Sequence, residues 1–268
     1  ALVEPWACVE DSYVNVERQT LKAGGRLLLV ADDPARISVA GLPCDPAGKP
    51  GEVLRKTPAE VGSLANESCD DIVYFGADKA TLEVLNDKLA ARGIINVVLG
   101  GKRIGAPVNL GVGRIHYGMT RWIGTTGSDP AESYKHIPRT CELREGESFV
   151  VIGAGGPMGQ MRVVRALCTG VPNITVIGTD MDDARLASLQ KKAEPFAKAN
   201  GVAMKMVNTV NTPLTGKYSY FALMAPVPAL VANSIRDSQP GCFINLFAGI
   251  PAPTKHELDL DTYIANRC

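Results

Sequence analysis

The chain has no run of about 18 apolar residues, the length a helix needs to cross a bilayer. Its charge has no excess of either sign, since 28 Lys and Arg stand against 28 Asp and Glu. The basic residues are scattered, so neither nucleic acid nor a membrane surface is expected as a partner. No C-x-x-C pair occurs. The seven cysteines, Cys8, Cys44, Cys69, Cys141, Cys168, Cys242 and Cys268, are odd in number and widely spaced. That excludes a zinc ribbon and reads as buried thiols in a reducing cytoplasm. Histidine is scarce: His116, His136 and His256 lie far apart, and none has a partner at metal-ligand spacing. No Ser-His-Asp or Cys-His order suggests a nucleophile. The opening residues ALVEPWACVEDSYVN hold neither a basic segment nor a long apolar core, so they are no secretion signal. Hydrophobic residues make up 46% and charged ones 21%, ordinary for a globular chain of one or two domains.

What the sequence does hold is the stretch from Glu147 to Arg185, ESFVVIGAGGPMGQMRVVRALCTGVPNITVIGTDMDDAR. Ser148 to Ile152 is a short β-branched run and reads as a strand. Glycines follow at Gly153, Gly155, Gly156 and Gly159, and Gln160 to Cys168 then carries helix-forming residues with no breaker. A strand, a glycine turn and a helix in that order bring backbone N–H groups and the positive end of a helix against a phosphate, with no Cβ in the way. A second strand, Ile174 to Gly178, leads to Asp180, which lies 21 positions after Gly159. An acid at about that distance binds the ribose hydroxyls in a βαβ dinucleotide site. The spacing departs from G-x-G-x-x-G by one residue: either the turn is longer, or Gly153 closes the strand. A turn that only packs the helix tightly on the strand is the alternative.

Before this stretch the chain reads as another α/β segment. A helix is predicted over residues 6–19 and a strand at Arg26 to Ala31. Asp32, Asp33 and Pro34 follow where a phosphate site would need glycines: two carboxylates repel a pyrophosphate, and proline removes a donor. Ser38 to Asn66 is an irregular connection with a short strand at Val53 to Lys56. Further strands are predicted at Asp71 to Gly76, Ile94 to Leu99 and Arg121 to Thr125, a helix at Ala80 to Arg92, and a helix start at Ser128-Asp129-Pro130.

The second half repeats the first. The segment from Glu132, ESYKHIPRTCELREGESFVVIG, follows DSYVNVERQTLKAGGRLLLVAD from Asp11, with Tyr13 and Tyr134 in register 121 positions apart. Ser219 to Ala225 answers DIVYFGA, and Gly241 to Gly249 answers Gly93 to Gly101, with the Ile95-Asn96 and Ile244-Asn245 pairs 149 positions apart. The expectation is two tandem Rossmann-like α/β modules with parallel sheets flanked by helices. Residues 1–128 form the one with a degenerate phosphate loop, and residues 129–268 form the dinucleotide-binding one, which lacks its last strand. Both ends of the chain read as cut.

Val3-Glu4-Pro5-Trp6-Ala7-Cys8-Val9, VVIGAGGPMGQMRVVRAL and VIGTDMDDARL resemble the cofactor domain of the zinc-type medium-chain dehydrogenases/reductases, in the flavour of sorbitol dehydrogenase and sorbose-phosphate reductase. MAPVPALV from Met224 and NLFAG from Asn245 are similar to the family's fourth and fifth strand ends, whose backbone contacts the nicotinamide. The resemblance implies that Gly153, Gly155, Gly156, Pro157, Met158 and Gly159 hold the pyrophosphate of NAD and that Asp180 holds the adenosine ribose. It further places Arg185 near the adenine, and Ala225 and Phe247 at the nicotinamide. Asp180 favours NAD over NADP, because a carboxylate repels a 2′-phosphate. Glu4 matches a Glu beside the family's catalytic zinc, whose other ligands belong to a domain outside these residues. The implied activity of the intact protein is hydride transfer between NAD(H) and an alcohol, ketone or sugar alcohol, with a homo-oligomer possible. A non-catalytic dinucleotide sensor or scaffold is the rival reading. A self-contained short-chain dehydrogenase would need a Tyr-x-x-x-Lys after Met224, and none occurs.

Overall fold

The computed structural model describes residues 3–37 and 41–268; the start of the predicted connection, residues 38–40, lies outside them. The chain forms two compact units, one of residues 1–16 with 140–249 and the other of residues 17–139 with 250–268.

The first unit holds the helix α1 (Val3–Val14) and a five-stranded parallel sheet of β7 (Ser148–Ile152), β8 (Thr175–Asp180), β9 (Ala203–Asn208), β10 (Tyr218–Leu223) and β11 (Ser238–Leu246). The helices α5 (Pro157–Cys168), α6 (Asp183–Asn200) and α7 (Pro228–Arg236) connect these strands. The strand order is β11-β10-β7-β8-β9, the dinucleotide-fold order 3-2-1-4-5 read from the other edge. The reason β7 lies in the middle is visible in its residues: Phe149, Val150 and Val151 are fully buried on both faces, as a parallel strand covered by helices requires.

The second unit contains β1 (Arg26–Val30), β2 (Glu52–Lys56), β3 (Cys69–Phe75), β4 (Leu89–Val98) and β6 (Arg121–Thr125), ordered β2-β1-β3-β4-β6 and all parallel. Around them lie α2 (Lys79–Lys88), α3 (Val112–Gly118), α4 (Ala131–Tyr134) and α8 (Leu260–Asn266). A small antiparallel pair joins β5 (Val108–Leu110) to β12 (His256–Leu258). By the repeat, β1, β3 and β4 stand where β7, β10 and β11 stand. The two sheets therefore share a centre and differ at the edges: one has β9 beyond β8, and the other has β6 beyond β4.

Packing divides the chain differently from the boundary at 128/129. Val9 and Tyr13 of α1 are fully buried in the same core as Phe149, Val163, Leu189 and Tyr220. Tyr134 and Ile137 are buried with Leu27, Leu29, Val73 and Ile123. Each copy's leading segment thus fills the core of the other copy's sheet. Residues 250–268 belong with the first copy's sheet, where Tyr263 Oη donates to the Trp122 carbonyl at 2.7 Å.

Several predicted elements change their limits. The helix predicted over residues 6–19 runs from Val3 to Val14. The Tyr13 carbonyl, at its end, accepts from Cys141 N–H at 3.0 Å. The helix predicted to Arg92 stops at Lys88, and β4 begins at once with Leu89 opposite Cys69. Arg92 takes a positive φ of 60°, in a pairing irregularity beside Gly93. The strand predicted to end at Gly178 continues through Asp180. Among the described residues no helix is long and apolar enough to cross a membrane.

Tyr134 is buried, and its hydroxyl has no hydrogen-bond partner among the described residues. An unpaired buried hydroxyl costs about 1–3 kcal/mol. Tyr134→Phe is therefore expected to raise the unfolding free energy by about 1 kcal/mol, measured by chemical denaturation.

Candidate functional site

The glycine turn lies at the carboxyl end of the central strand β7, beside the crevice where the sheet order reverses between β7 and β10. In open α/β sheets that is where ligands bind. Gly153 and Ala154 both donate to the Thr179 carbonyl, at 2.9 and 2.8 Å, and tie the turn to β8. Gly153 has a φ of 83°, which suits glycine. Gly156 is the N-cap of α5 and Pro157 its first residue; proline costs nothing there, because that N–H has no intrahelical acceptor. The N–H groups of Met158 and Gly159, in the first turn, likewise lack intrahelical acceptors and face the positive end of the helix.

The turn is one residue longer than the usual pattern, and its two tight positions are 155 and 159. A Cβ on Gly155 would lie 2.6 Å from Arg185 Cβ and 2.7 Å from Asp180 Oδ2. One on Gly159 would lie 2.4 Å from the Gly153 carbonyl oxygen and 2.7 Å from Ala154 Cα. Gly159 is thus the point where α5 touches the strand end. Gly156 is less confined, since the nearest atom to its added Cβ would be at 3.6 Å.

Asp180 ends β8 beside the turn. Its Oδ2 accepts from Gly155 N–H at 2.9 Å, and its Oδ1 accepts from Met181 N–H at 2.8 Å and Asp182 N–H at 3.2 Å. These bonds fix the carboxylate against the glycine turn and leave lone pairs for a diol. Arg185 has an exposed side chain, with Nε 3.7 Å from Asp182 Oδ2. Ala225 follows β10 and reaches the turn: its N lies 3.5 Å from the place of a Gly153 Cβ. Phe247 follows β11 and stacks on the Arg162 guanidinium at 4.6 Å.

Arg162 was not legible as a site residue. It is fully buried on α5, between the rings of Phe247 and Tyr13, the latter at 4.9 Å. Its Nη2 donates to Ser12 Oγ at 2.7 Å, while Nε and Nη1 have no partner among the described residues. Burial pushes the Tyr13 phenol above its ordinary value, against the opposing pull of Arg162 and Arg165. Arg165 in turn makes a bidentate pair with Glu142 at 2.6 and 3.0 Å and bonds Glu10 at 2.9 Å, so α1 is bolted to α5 by charge as well as by Tyr13.

Glu4 lies apart from all of this on the exposed face of α1. Its only bond among the described residues is from Cys8 Sγ at 3.4 Å, and that bond holds the Cys8 thiol above its ordinary pKa. A cysteine that binds zinc must do so as a thiolate, and two donors are too few. No group of three or more His, Cys, Asp and Glu that could hold a metal occurs among the described residues. The residues present do not fit a zinc site.

The fold defines a Rossmann-like α/β protein, with a glycine turn at the end of its β7 strand. No family model matches the chain, and no curated protein sequence matches it. Among solved structures, it is similar to a D-mandelate dehydrogenase from Rhodotorula graminis, at 12% identity and a TM-score of 0.27 over 83% of this chain and 73% of that one. It is also similar to the first ketoreductase of the tylosin PKS, at 12% identity and a TM-score of 0.23 over 74% of this chain and 58% of that one. The aspartate transcarbamoylase of Trypanosoma cruzi is similar at 10% identity and a TM-score of 0.24 over 88% and 74%. Likeness of that degree says nothing about what this chain binds.

Proposed function

We propose that the chain is the NAD(H)-binding portion of an oxidoreductase of the zinc-type medium-chain alcohol or polyol dehydrogenase kind. The observation that supports this most is the glycine turn closed on Asp180: two positions too tight for a Cβ, a third with a positive φ, a helix N-terminus with unpaired N–H groups, and a fixed carboxylate at the end of the neighbouring strand. Such a cradle fits a dinucleotide. The N–H groups of Met158 and Gly159 take the pyrophosphate, Asp180 takes the adenosine diol, and Ala225 and Phe247 face the nicotinamide end. The cofactor, once bound, accepts or donates a hydride. This chain's own residues bind and orient it. The alcohol, ketone or sugar alcohol and any zinc would be handled by residues outside the chain, since Glu4 and Cys8 do not make a metal site. A non-catalytic dinucleotide sensor is the second reading.

Calorimetric titration with NAD+ and NADP+ tests the assignment of Asp180. NAD+ is expected to bind at least tenfold more tightly than NADP+. Asp180→Ala should weaken NAD+ by about 1.5–3 kcal/mol, the worth of hydrogen bonds to a charged group, and narrow the gap between the two. Equal affinities in the unaltered chain would remove Asp180 from the site.

A further inference from the structure

The second unit also has a crevice at its topological switch point. In the order β2-β1-β3-β4-β6 the strand direction of winding reverses between β1 and β3, and a cavity of about 520 Å³ opens outside the carboxyl ends of those strands. That volume is within the range of small-molecule sites. Asp32 and Asp33 replace the glycine turn here, so a pyrophosphate has no cradle.

The lining changes character across the sheet. After β2 comes Pro58, an apolar wall. After β1 comes Asp32, whose carboxylate is exposed and has no hydrogen-bond or ion-pair partner among the described residues. At the end of β3 stand Tyr74 and Phe75. The Tyr74 hydroxyl is engaged, accepting from Asp78 N–H at 3.1 Å, and Asp78 is engaged too, capping α2 through Thr81. After β4 come Lys102 and Arg103. The Lys102 ammonium is unpartnered among the described residues, and Arg103 has only a long contact of 3.9 Å to Asp261. Asp32 and Lys102 thus line one crevice without pairing with each other. A ligand that satisfies both carries hydroxyls at its middle and a dianion at one end, with an apolar ring at the other.

We propose that this crevice is a binding site for a nucleoside 5′-monophosphate. The base lies on Pro58, the ribose packs beside Phe75 and its diol donates to Asp32, and the single phosphate is held by Lys102 and Arg103. The charge order is the reverse of the dinucleotide turn, where the phosphate lies at the end of the central strand and the acid on its neighbour. The site stands whether or not the glycine turn of the other unit binds NAD.

The test is calorimetric titration of the full chain with AMP, 2′-deoxy-AMP, adenosine and inorganic phosphate in the presence of saturating NAD+, and again in Asp180→Ala, which disables the ribose contact of the glycine turn. AMP is expected to bind in both. Lys102→Ala with Arg103→Ala should weaken AMP at least tenfold and leave adenosine unchanged. Asp32→Ala should weaken AMP and adenosine about tenfold and leave phosphate unchanged, and 2′-deoxy-AMP should bind like AMP to Asp32→Ala. All three side chains are exposed, so the variants keep the fold. No heat with AMP overturns the proposal, as does an AMP affinity that the Lys102, Arg103 pair of substitutions leaves unaltered. Failure of NAD+ to bind would show in the NAD+ titration alone and would leave the AMP result to stand or fall by itself.

Discussion

Cut between residues 128 and 129, neither half of the chain is expected to fold. The piece from residue 129 onward lacks α1, and with it Val9 and Tyr13, both fully buried against Phe149, Val163 and Tyr220. Each such side chain contributes about 1.5–3 kcal/mol by burial. The same cut removes Glu10 from Arg165, which is nearly buried and would keep only Glu142. Against a total stability of about 5–15 kcal/mol, these losses are large. The fragment is expected to show no cooperative thermal transition. A rearranged chain that joins residues 1–16 through a flexible linker to residues 140–249 is expected to melt cooperatively. A cooperative transition of 129–268 near that of the whole chain would mean that α1 does not belong to this core.

The second large effect is that of Gly159→Ala. A single methyl group there meets the Gly153 carbonyl oxygen at 2.4 Å and Ala154 Cα at 2.7 Å, both backbone atoms of the tied turn. Neither can rotate away, so α5 must lift from β7. The unfolding free energy is expected to fall by about 3 kcal/mol, the upper part of the usual range for overpacking, with a drop in Tm of about 10 °C. Dinucleotide binding should be lost as well, because lifting α5 moves its N–H groups from the phosphate. Gly156→Ala is the control: its added carbon has its nearest neighbour at 3.6 Å, and its φ of −75° suits any residue. It should change stability by less than about 0.5 kcal/mol. Similar losses in both variants would show that the turn is not built as described.

Much of this was legible in the sequence, for a physical reason. Buried parallel strands must be continuously apolar, so RLLLV, FVVI and YFAL declare themselves, and the spacing of Gly153, Gly155 and Gly159 announces a close approach before any atom is placed. Limits were harder. Leu82, Leu85 and Leu89 keep helical spacing across the end of α2, so periodicity alone carries the helix past Lys88, whereas Leu89 already pairs with Cys69. The exchange of leading segments was not legible at all. Tyr13 and Tyr134 occupy the same repeat position, each after an acid and a serine, and nothing local says which core each fills. Arg162 reads as a solvated helix residue, and only its position beneath α1 makes it a buried cation. The antiparallel pair of β5 with β12 joins segments far apart in the chain, a pairing that no window of sequence contains.

Of the two related α/β units, only the one with the glycine turn is expected to bind a dinucleotide. The most direct measurement is the stoichiometry and location of NADH binding to the full chain, by calorimetry on the unaltered protein and on Gly155→Val. The predicted result is one NADH per chain, abolished by Gly155→Val, whose side chain would occupy the space of Asp180 and Arg185. Two NADH per chain, or one that Gly155→Val leaves in place, would contradict it.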